Sequence, residues 1–411
     1  MLGILLINIT AFGMHHAAWD DPAVTGGATG INLWTWFVFH VLAEGKMRAL
    51  FSMVFGASMI LLTSRLEKNA LISGDIYYRR TLWLMLFGIA HAYLLYWADI
   101  LYSYALCGLV LYPFRKLAPR VLLVIGIALA VGDSAWTVVE SLRTRSMIVQ
   151  ARTAEEIAGQ GQRLPQAQQE VLRQWNEWRT FHRPSTEELA EDASKWRGSF
   201  LSVLHARAEL VPFFHAQPYY SAASGNLDYW SMMFIGMALF KVGIFAAQKS
   251  QRFYAWMMGI GFGIGLLLNG YTGWSIIRTN FDPVQHDLIN WNYHIARLSV
   301  ALGYVALIML LCKAGIARWL TSLLRCVGQM AFSNYILQSL ICSFVFTGYG
   351  LRFYGRLERY QLYYIVAAIW IFLLIASSIW LRYFRLGPLE WCWRTLTYWK
   401  QQPMSLDRAK P

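Results

Sequence analysis

Ten apolar runs separated by short cationic connectors follow one another along this chain, and few architectures tolerate that pattern. The runs cover residues 1–14, 49–64, 80–97, 99–114, 120–140, 229–247, 253–270, 294–312, 327–347 and 361–381. Most approach the roughly 20 helical residues needed to cross about 30 Å of hydrocarbon. With 57% hydrophobic and only 14% charged residues, the chain carries more apolar surface than a soluble fold can hide, so the excess must face lipid. Hydrocarbon leaves no water to satisfy peptide groups, which restricts a spanning chain to helices or closed barrels. The fold expected is all-α: a polytopic integral membrane bundle of about ten transmembrane helices. The 19 Trp and 22 Tyr suit the belts where amphipathic rings rest at the headgroups.

Loop charge orients the bundle. One set of connectors carries Arg65, Lys68, Arg79, Arg80, Arg115, Lys116 and Arg120, then Lys249, Arg252, Lys313, Arg318 and Arg325, and a tail that is also rich in Arg and Lys. The alternate short loops hold only Lys46, Arg48, Arg278, Arg352, Arg356 and Arg359. The positive-inside rule places the first set, and with it both termini, in the cytoplasm. The polar segment 141–228 then lies outside as one large extracytoplasmic insertion, reading as two or three amphipathic helices. In it, Trp175, Trp178 and Phe181 form a stripe at helical spacing that suits packing against the membrane part. The organisation expected is a membrane half over 1–140, the insertion over 141–228, a second membrane half over 229–400 and a cytoplasmic tail over 401–411.

Several details refine this layout. The opening MLGILLINITAFGM has no basic n-region or small-residue cleavage site, so it is not a cleavable signal peptide. It is also short for a span, which leads to the expectation that the first helix lacks its opening turns. The stretch 31–45 is apolar but ends in charge, as a re-entrant or interfacial helix would. The net charge of +13 is spread over loops rather than gathered on a soluble face. It points to topology and anionic lipid headgroups, not to nucleic acid. The five cysteines show no CxxC pair, so neither disulfides nor a metal site are expected. GIGFGIG (Gly259–Gly265) lies inside a span without the strand that a dinucleotide loop requires; close helix packing explains it.

Ionisable groups at membrane depth are costly, and by default they mark function or paired contacts. His15 and His16 follow the first run, beside Asp20 and Asp21. Histidine titrates near neutrality, so either ring, with a carboxylate fixing its tautomer, suits a general base toward a hydroxyl or amine; a headgroup-level histidine without chemistry is the plain alternative. Glu44, Lys46 and Arg48 cluster before the second run, as a site or as a self-neutralised group. His91 lies within the third run. Asp99 sits in a tight turn, as an interhelical partner or a turn residue. Asn8 and Asn334 lie within runs. His286 and His294 flank a loop that contains Asp282 and Asp287.

Four strings carry a family resemblance: EGKMRALFSMVFGAS from Glu44, RRTLWLMLFGIAHAYLLYWADILYSYALCGLV from Arg79, GQMAFSNYILQS from Gly328 and GPLEWCWR from Gly387. In this order they resemble the YeiB-type family of bacterial inner-membrane proteins, whose C-terminal half is a domain of unknown function. That family is similar to the transmembrane acyltransferases, among them heparan-α-glucosaminide N-acetyltransferase, whose histidine lies in an H-A-S-W-N-G string ahead of W-F-V-F. Here His16-Ala17-Ala18-Trp19-Asp20-Asp21 precedes Trp36-Phe37-Val38-Phe39, which sets His16 above His15. The resemblance implies residence in the inner membrane and an acyl group passed from cytoplasmic acyl-CoA to an envelope acceptor, a small molecule or glycan. His16 would be the base and Asp20 or Asp21 its partner. Arg65, Arg79 and Arg80 would attract the CoA phosphates, while His15, Glu44, Lys46, Arg48, His91, Asp99 and Asn334 would line the path. The rival expectations are a small-solute or proton-coupled transporter, drawn from the buried ionisable groups, and a non-catalytic scaffold.

Overall fold

A computed structural model describes the chain apart from residues 70–71, 217–224, 283–284, 286–288 and 407–411; for residues 213–216, 225–226 and 290 it describes the backbone alone. His286 and Asp287 lie outside the described residues. The helices, in chain order, are α1 (Leu2–Gly13), α2 (Gly30–Leu42), α3 (Lys46–Lys68), α4 (Ser73–Leu94), α5 (Leu101–Leu111), α6 (Pro119–Gly159), α7 (Gln166–His182) and α8 (Thr186–Trp196). After these come α9 (Phe200–Ala216), α10 (Gly225–Lys241), α11 (Gln251–Arg278), α12 (Tyr293–Ala314), α13 (Arg318–Gln329), α14 (Ala331–Phe346), α15 (Arg359–Trp380) and α16 (Pro388–Tyr398). Among the described residues the β structure amounts to an isolated bridge between Phe384 and Ser405. Five helical segments among the described residues are long and apolar enough to cross a membrane: Gly30–Lys68 (broken between Leu42 and Lys46), Pro119–Gly159, Gln251–Arg278, Tyr293–Ala314 and Arg359–Trp380. The fold is an all-α membrane helix bundle.

Each apolar run contains helix, but the runs at 80–97 and 229–247 extend past the ends of their helices at Leu94 and Lys241. The run at 327–347 is divided at Met330, where α13 stops and α14 starts. Residues 30–68 form two helices, α2 and α3, joined by a three-residue break. At the break Gly45 has φ +66°, and a Cβ there would meet the Tyr293 hydroxyl at 2.2 Å. Only glycine takes that backbone without strain. The break leaves Glu44, Lys46 and Arg48 beside the middle of α1 rather than at an end of the bundle, since Glu44 and Arg48 share a cleft with Ile7 and Asn8.

Small residues set the helix spacing, as expected where lipid is as apolar as leucine. A Cβ at Gly56 would come within 2.1 Å of the Met233 carbonyl, and one at Gly236 within 2.0 Å of the Met53 carbonyl, so α3 and α10 touch backbone to backbone. On α11, Gly261 and Gly265 press against Ser299 and Val300 of α12, whereas Gly259 and Gly263 have nothing within 4 Å.

Connector contacts gather the bundle into two ends. At the cationic end Arg115 pairs with Glu67, Lys241 donates to the Leu117 carbonyl, Lys313 to that of Ala247, and Trp393 to that of Arg80. At the opposite end Gly355 N–H donates to the Gly13 carbonyl at 2.7 Å, and Arg359 donates to that of Ala18. The insertion docks here. Arg207 holds the Leu94 carbonyl and Ser343, Arg197 the Tyr354 carbonyl, and Arg183 those of Asn280 and Phe281. Helix α6 runs unbroken through residue 140, so the insertion grows from a membrane helix without a linker. Its remaining helices are α7, α8 and α9.

Candidate functional site

Three polar centres lie along the bundle. The first is the turn after α1. The Nε2 of His16 lies 3.1 Å from the Phe181 carbonyl of α7. A carbonyl only accepts, so that nitrogen carries the proton. The His16 ring also packs at a tilt against Phe181, centroids 4.2 Å apart, and against His15, 4.0 Å apart. Burial, and then the neighbouring His15, hold the His16 pKa well below its ordinary value, so the ring is neutral at physiological pH. Asp21 caps the following turn by accepting from Ala23 N–H at 2.8 Å, and burial raises its carboxyl. Asp20 is exposed. The carboxylates whose charge reaches His15 are Asp192 and Glu188 of α8, opposing the burial that lowers its pKa. Asp192 in turn accepts from Tyr354 at 2.6 Å and Trp196 at 3.1 Å, and burial raises its pKa.

The second centre surrounds the α2–α3 break. Lys46, fully buried, donates to the His40 carbonyl at 2.7 Å. Tyr293 donates to Glu44 at 3.2 Å and accepts from Arg48 at 3.1 Å. Arg48 also reaches Asp228 at 3.2 Å, and Arg297, fully buried on α12, grips the same carboxylate with both terminal nitrogens. Arg297 further donates to His294 Nδ1 at 2.9 Å, which leaves the His294 proton on Nε2, aimed at Asp133 at 2.8 Å. Three acids (Glu44, Asp133, Asp228) thus meet three bases (Lys46, Arg48, Arg297), the balance that charges removed from water require. Donor atoms of Asp133, Asp228 and His294 lie within 4.8 Å of one another, a spacing compatible with a metal ion. The cysteine pattern gave no hint of this group. Two arginines already bind its Asp228, which favours the ion-pair reading.

The third centre is buried between α4, the turn after it, and α14. The Nδ1 of His91 lies 2.7 Å from Asp99 and its Nε2 2.8 Å from Ser339 Oγ. Asp99 also accepts Tyr102 N–H at 2.8 Å and the Tyr335 hydroxyl at 3.4 Å, so it is turn residue and interhelical partner at once. Asn334 stays apart from this centre, donating to Ser377 and the Val327 carbonyl.

A narrow cleft, about 40 Å³ in volume, runs along α1 between the first two centres. Ile4, Ile7, Met47 and Ile100 make an apolar stretch; Asn8, Glu44 and Arg48 a polar one; Trp19, which ends the His16 turn, closes it. Of the arginines at the cationic end, Arg65 is exposed. Arg79 pairs with Asp75 and lies over Trp399, and Arg80 stacks on Trp393 at 3.7 Å. Reading the sequence missed Asp133, Asp228, Arg297 and Ser339. Asp133 and Arg297 lie inside apolar runs, which was the available signal; Asp228 and Ser339 gave none.

A model of proteins described as of unknown function, DUF418, matches residues 239–400. The uncharacterized protein YeiB of Escherichia coli (strain K12) is 30% identical over 406 residues, covering 97% of this chain and 93% of that protein. The chain belongs to the YeiB family. Another relative is the uncharacterized protein YxaH of Bacillus subtilis (strain 168), 29% identical over 378 residues, covering 90% of this chain and 83% of that protein. No solved structure matches the chain. Three of the four strings that carry the resemblance to the YeiB family hold members of the second and third centres: Glu44, Lys46 and Arg48 in the first, His91 and Asp99 in the second, and Ser339 in the third.

Proposed function

We propose that the protein transfers an acyl group from an acyl-CoA to a hydroxyl or amine of an envelope acceptor, from the inner membrane with both termini cytoplasmic. The observation that carries this reading is the amphipathic cleft along α1. An acyl chain needs an apolar wall, each buried CH₂ being worth about 0.8 kcal/mol, and Ile4, Ile7, Met47 and Ile100 supply one. Its polar reacting end then falls beside Asn8, Glu44 and Arg48, with Trp19 leading to the histidine turn. His16 is neutral, and its Nε2 proton is held by the Phe181 carbonyl. Once α7 lifts and that carbonyl leaves, the proton can shift to Nδ1, and Nε2 can then take a proton from the entering acceptor. At the cationic end, exposed Arg65, with Arg79 and Arg80, would draw the CoA phosphates.

The test is acyl transfer by purified protein in lipid nanodiscs, with thermal stabilisation by acetyl-CoA and longer acyl-CoAs as the binding readout. General-base catalysis contributes on the order of 10²–10⁴ in rate, so His16→Ala should lower transfer by that factor while keeping the acyl-CoA stabilisation. An undiminished rate would remove His16 from the chemistry. The charged network at the α2–α3 break favours a second reading, coupling of a small solute to protons. That reading gains if acyl-CoAs leave the melting temperature unchanged while proteoliposomes take up protons in an Asp228-dependent way.

A further inference from the structure

Ser339 on α14, His91 on α4 and Asp99 on the turn between α4 and α5 are far apart in sequence yet bonded in series. The carboxylate of Asp99 only accepts, so Nδ1 of His91 carries the proton and Nε2 presents its lone pair to Ser339 Oγ at 2.8 Å. Tyr102 N–H and the Tyr335 hydroxyl hold Asp99 in place. A helical serine is ordinarily satisfied by the carbonyl four residues back. Ser339 has that contact, to Tyr335 at 3.3 Å, and the His91 nitrogen is the closer partner. Hydroxyl, imidazole and carboxylate in this order, with the carboxylate fixing the tautomer, are what activates a hydroxyl as a nucleophile.

The location adds to the chemistry. Ala98 and Ile100, on either side of Asp99, line the cleft, so the triad stands directly behind the cleft wall. It is also one aromatic layer from the histidine turn. Phe12, three residues before His15, stacks on Tyr96 at 4.3 Å, and the Tyr96 ring lies 6.2 Å from His91.

We infer that Ser339 is a nucleophile that carries the acyl group as a covalent ester between donor and acceptor; this rests on the acyl-transfer reading. In the first step Oγ attacks the thioester carbonyl. The Oγ–C bond forms, the C–S bond breaks, and the Oγ proton passes through His91 Nε2 to the departing CoA thiolate. In the second step the acceptor oxygen or nitrogen bonds to the same carbon and the Oγ–C bond breaks. The acceptor proton returns to Oγ through a base, so Ser339 is regenerated. Asp99 is a positioning residue. Because Ser339 is only 3% exposed, loading requires the Ala98–Ile100 turn to yield from the cleft side. A relay of this kind lets donor and acceptor react without ever occupying the cleft together.

The experiment incubates full-length protein in nanodiscs with an alkyne-tagged fatty acyl-CoA, quenches in acid and maps the modified peptide. Wild type should carry the tag on Ser339, and Ser339→Ala should not. Ser339→Cys, a control for folding, should carry it as a thioester released by neutral hydroxylamine. Asp99→Asn should slow loading on the order of 10³–10⁴-fold, with the deficit shrinking as pH rises, a dependence that a merely structural carboxylate would not produce. Transfer at the wild-type rate by Ser339→Ala, with Ser339 unmodified in wild type, overturns the relay and leaves acyl transfer standing. If wild type neither transfers nor loads, a fluorophosphonate decides. His91-dependent labelling of Ser339 keeps the nucleophile and discards the acyl-CoA reading; absence of labelling discards both.

Discussion

Arg297 shows what a single residue settles in this bundle. Its guanidinium spans Asp228 and His294, and with Arg48 it compensates a carboxylate that lipid and helix leave out of water. Removing one member of such a group strands the other, at about 3–5 kcal/mol. Arg297→Met should therefore lower the unfolding midpoint in mild detergent sharply, and adding Asp228→Leu should recover most of the loss. If the double variant melts no higher than the single one, Asp228 is not the group left uncompensated. Histidine at the first centre makes a pH prediction. Burial lowers the His16 pKa below its unfolded value of 6.5, so its docked form is stable above pH 6.5 and loses stability as pH falls from there toward the folded pKa. His15, lowered in the same way, adds to that loss. Asp192 and Glu188 face the pair from α8 with opposite shifts, burial raising Asp192 and the Ser185 N–H lowering Glu188. Protection of α7 amides, measured against their intrinsic exchange rate at each pH, should accordingly fall between pH 7.5 and 5.5, and protection that stays constant would mean that His16 does not hold α7 down. That His91 is buried was readable from its place inside an apolar run, and the position of His16 after the first run from the end of that run; their partners, Ser339 and Phe181, were not, because no local pattern encodes a contact across the fold.

Helices α11 and α12 illustrate how far local pattern reaches. GIGFGIG pointed to close packing but contains two overlapping pairs, and only the fold decides which one is used. Gly261 and Gly265 face α12, while Gly259 and Gly263 have open space. Gly261→Leu and Gly265→Leu should destabilise the purified protein, and Gly259→Leu and Gly263→Leu should leave its melting temperature within a degree or two; equal effects at all four positions would contradict the packing. At the α2–α3 break, Gly45→Ala combines a strained φ with a clash on Tyr293, and should cost about 1–3 kcal/mol. Hydropathy joined residues 327–347 into one span because it does not register the change of direction at Met330. The amphipathic face of α13, with Trp319 69% exposed, was the signal that a surface-lying helix ended there.

At the scale of the whole molecule, the bundle has a cationic end and an end capped by the insertion. From the connector charges, a single cysteine at Gln168 should react with a membrane-impermeant maleimide on intact spheroplasts, and one at Lys400 only after lysis. The reverse pattern would invert every assignment of sidedness, including that of the histidine turn. Composition and the succession of apolar runs by themselves determined the all-α membrane fold, because transfer of apolar surface and of backbone groups into lipid is additive along the chain. The tertiary structure alone decided which buried charges meet. It closed the Asp133–Asp228–Arg297 network, set Ser339 against His91, and laid α7 over His16. Those outcomes depend on the rotation and register of helices that are remote in sequence, and hydrophobic periodicity is blind to both.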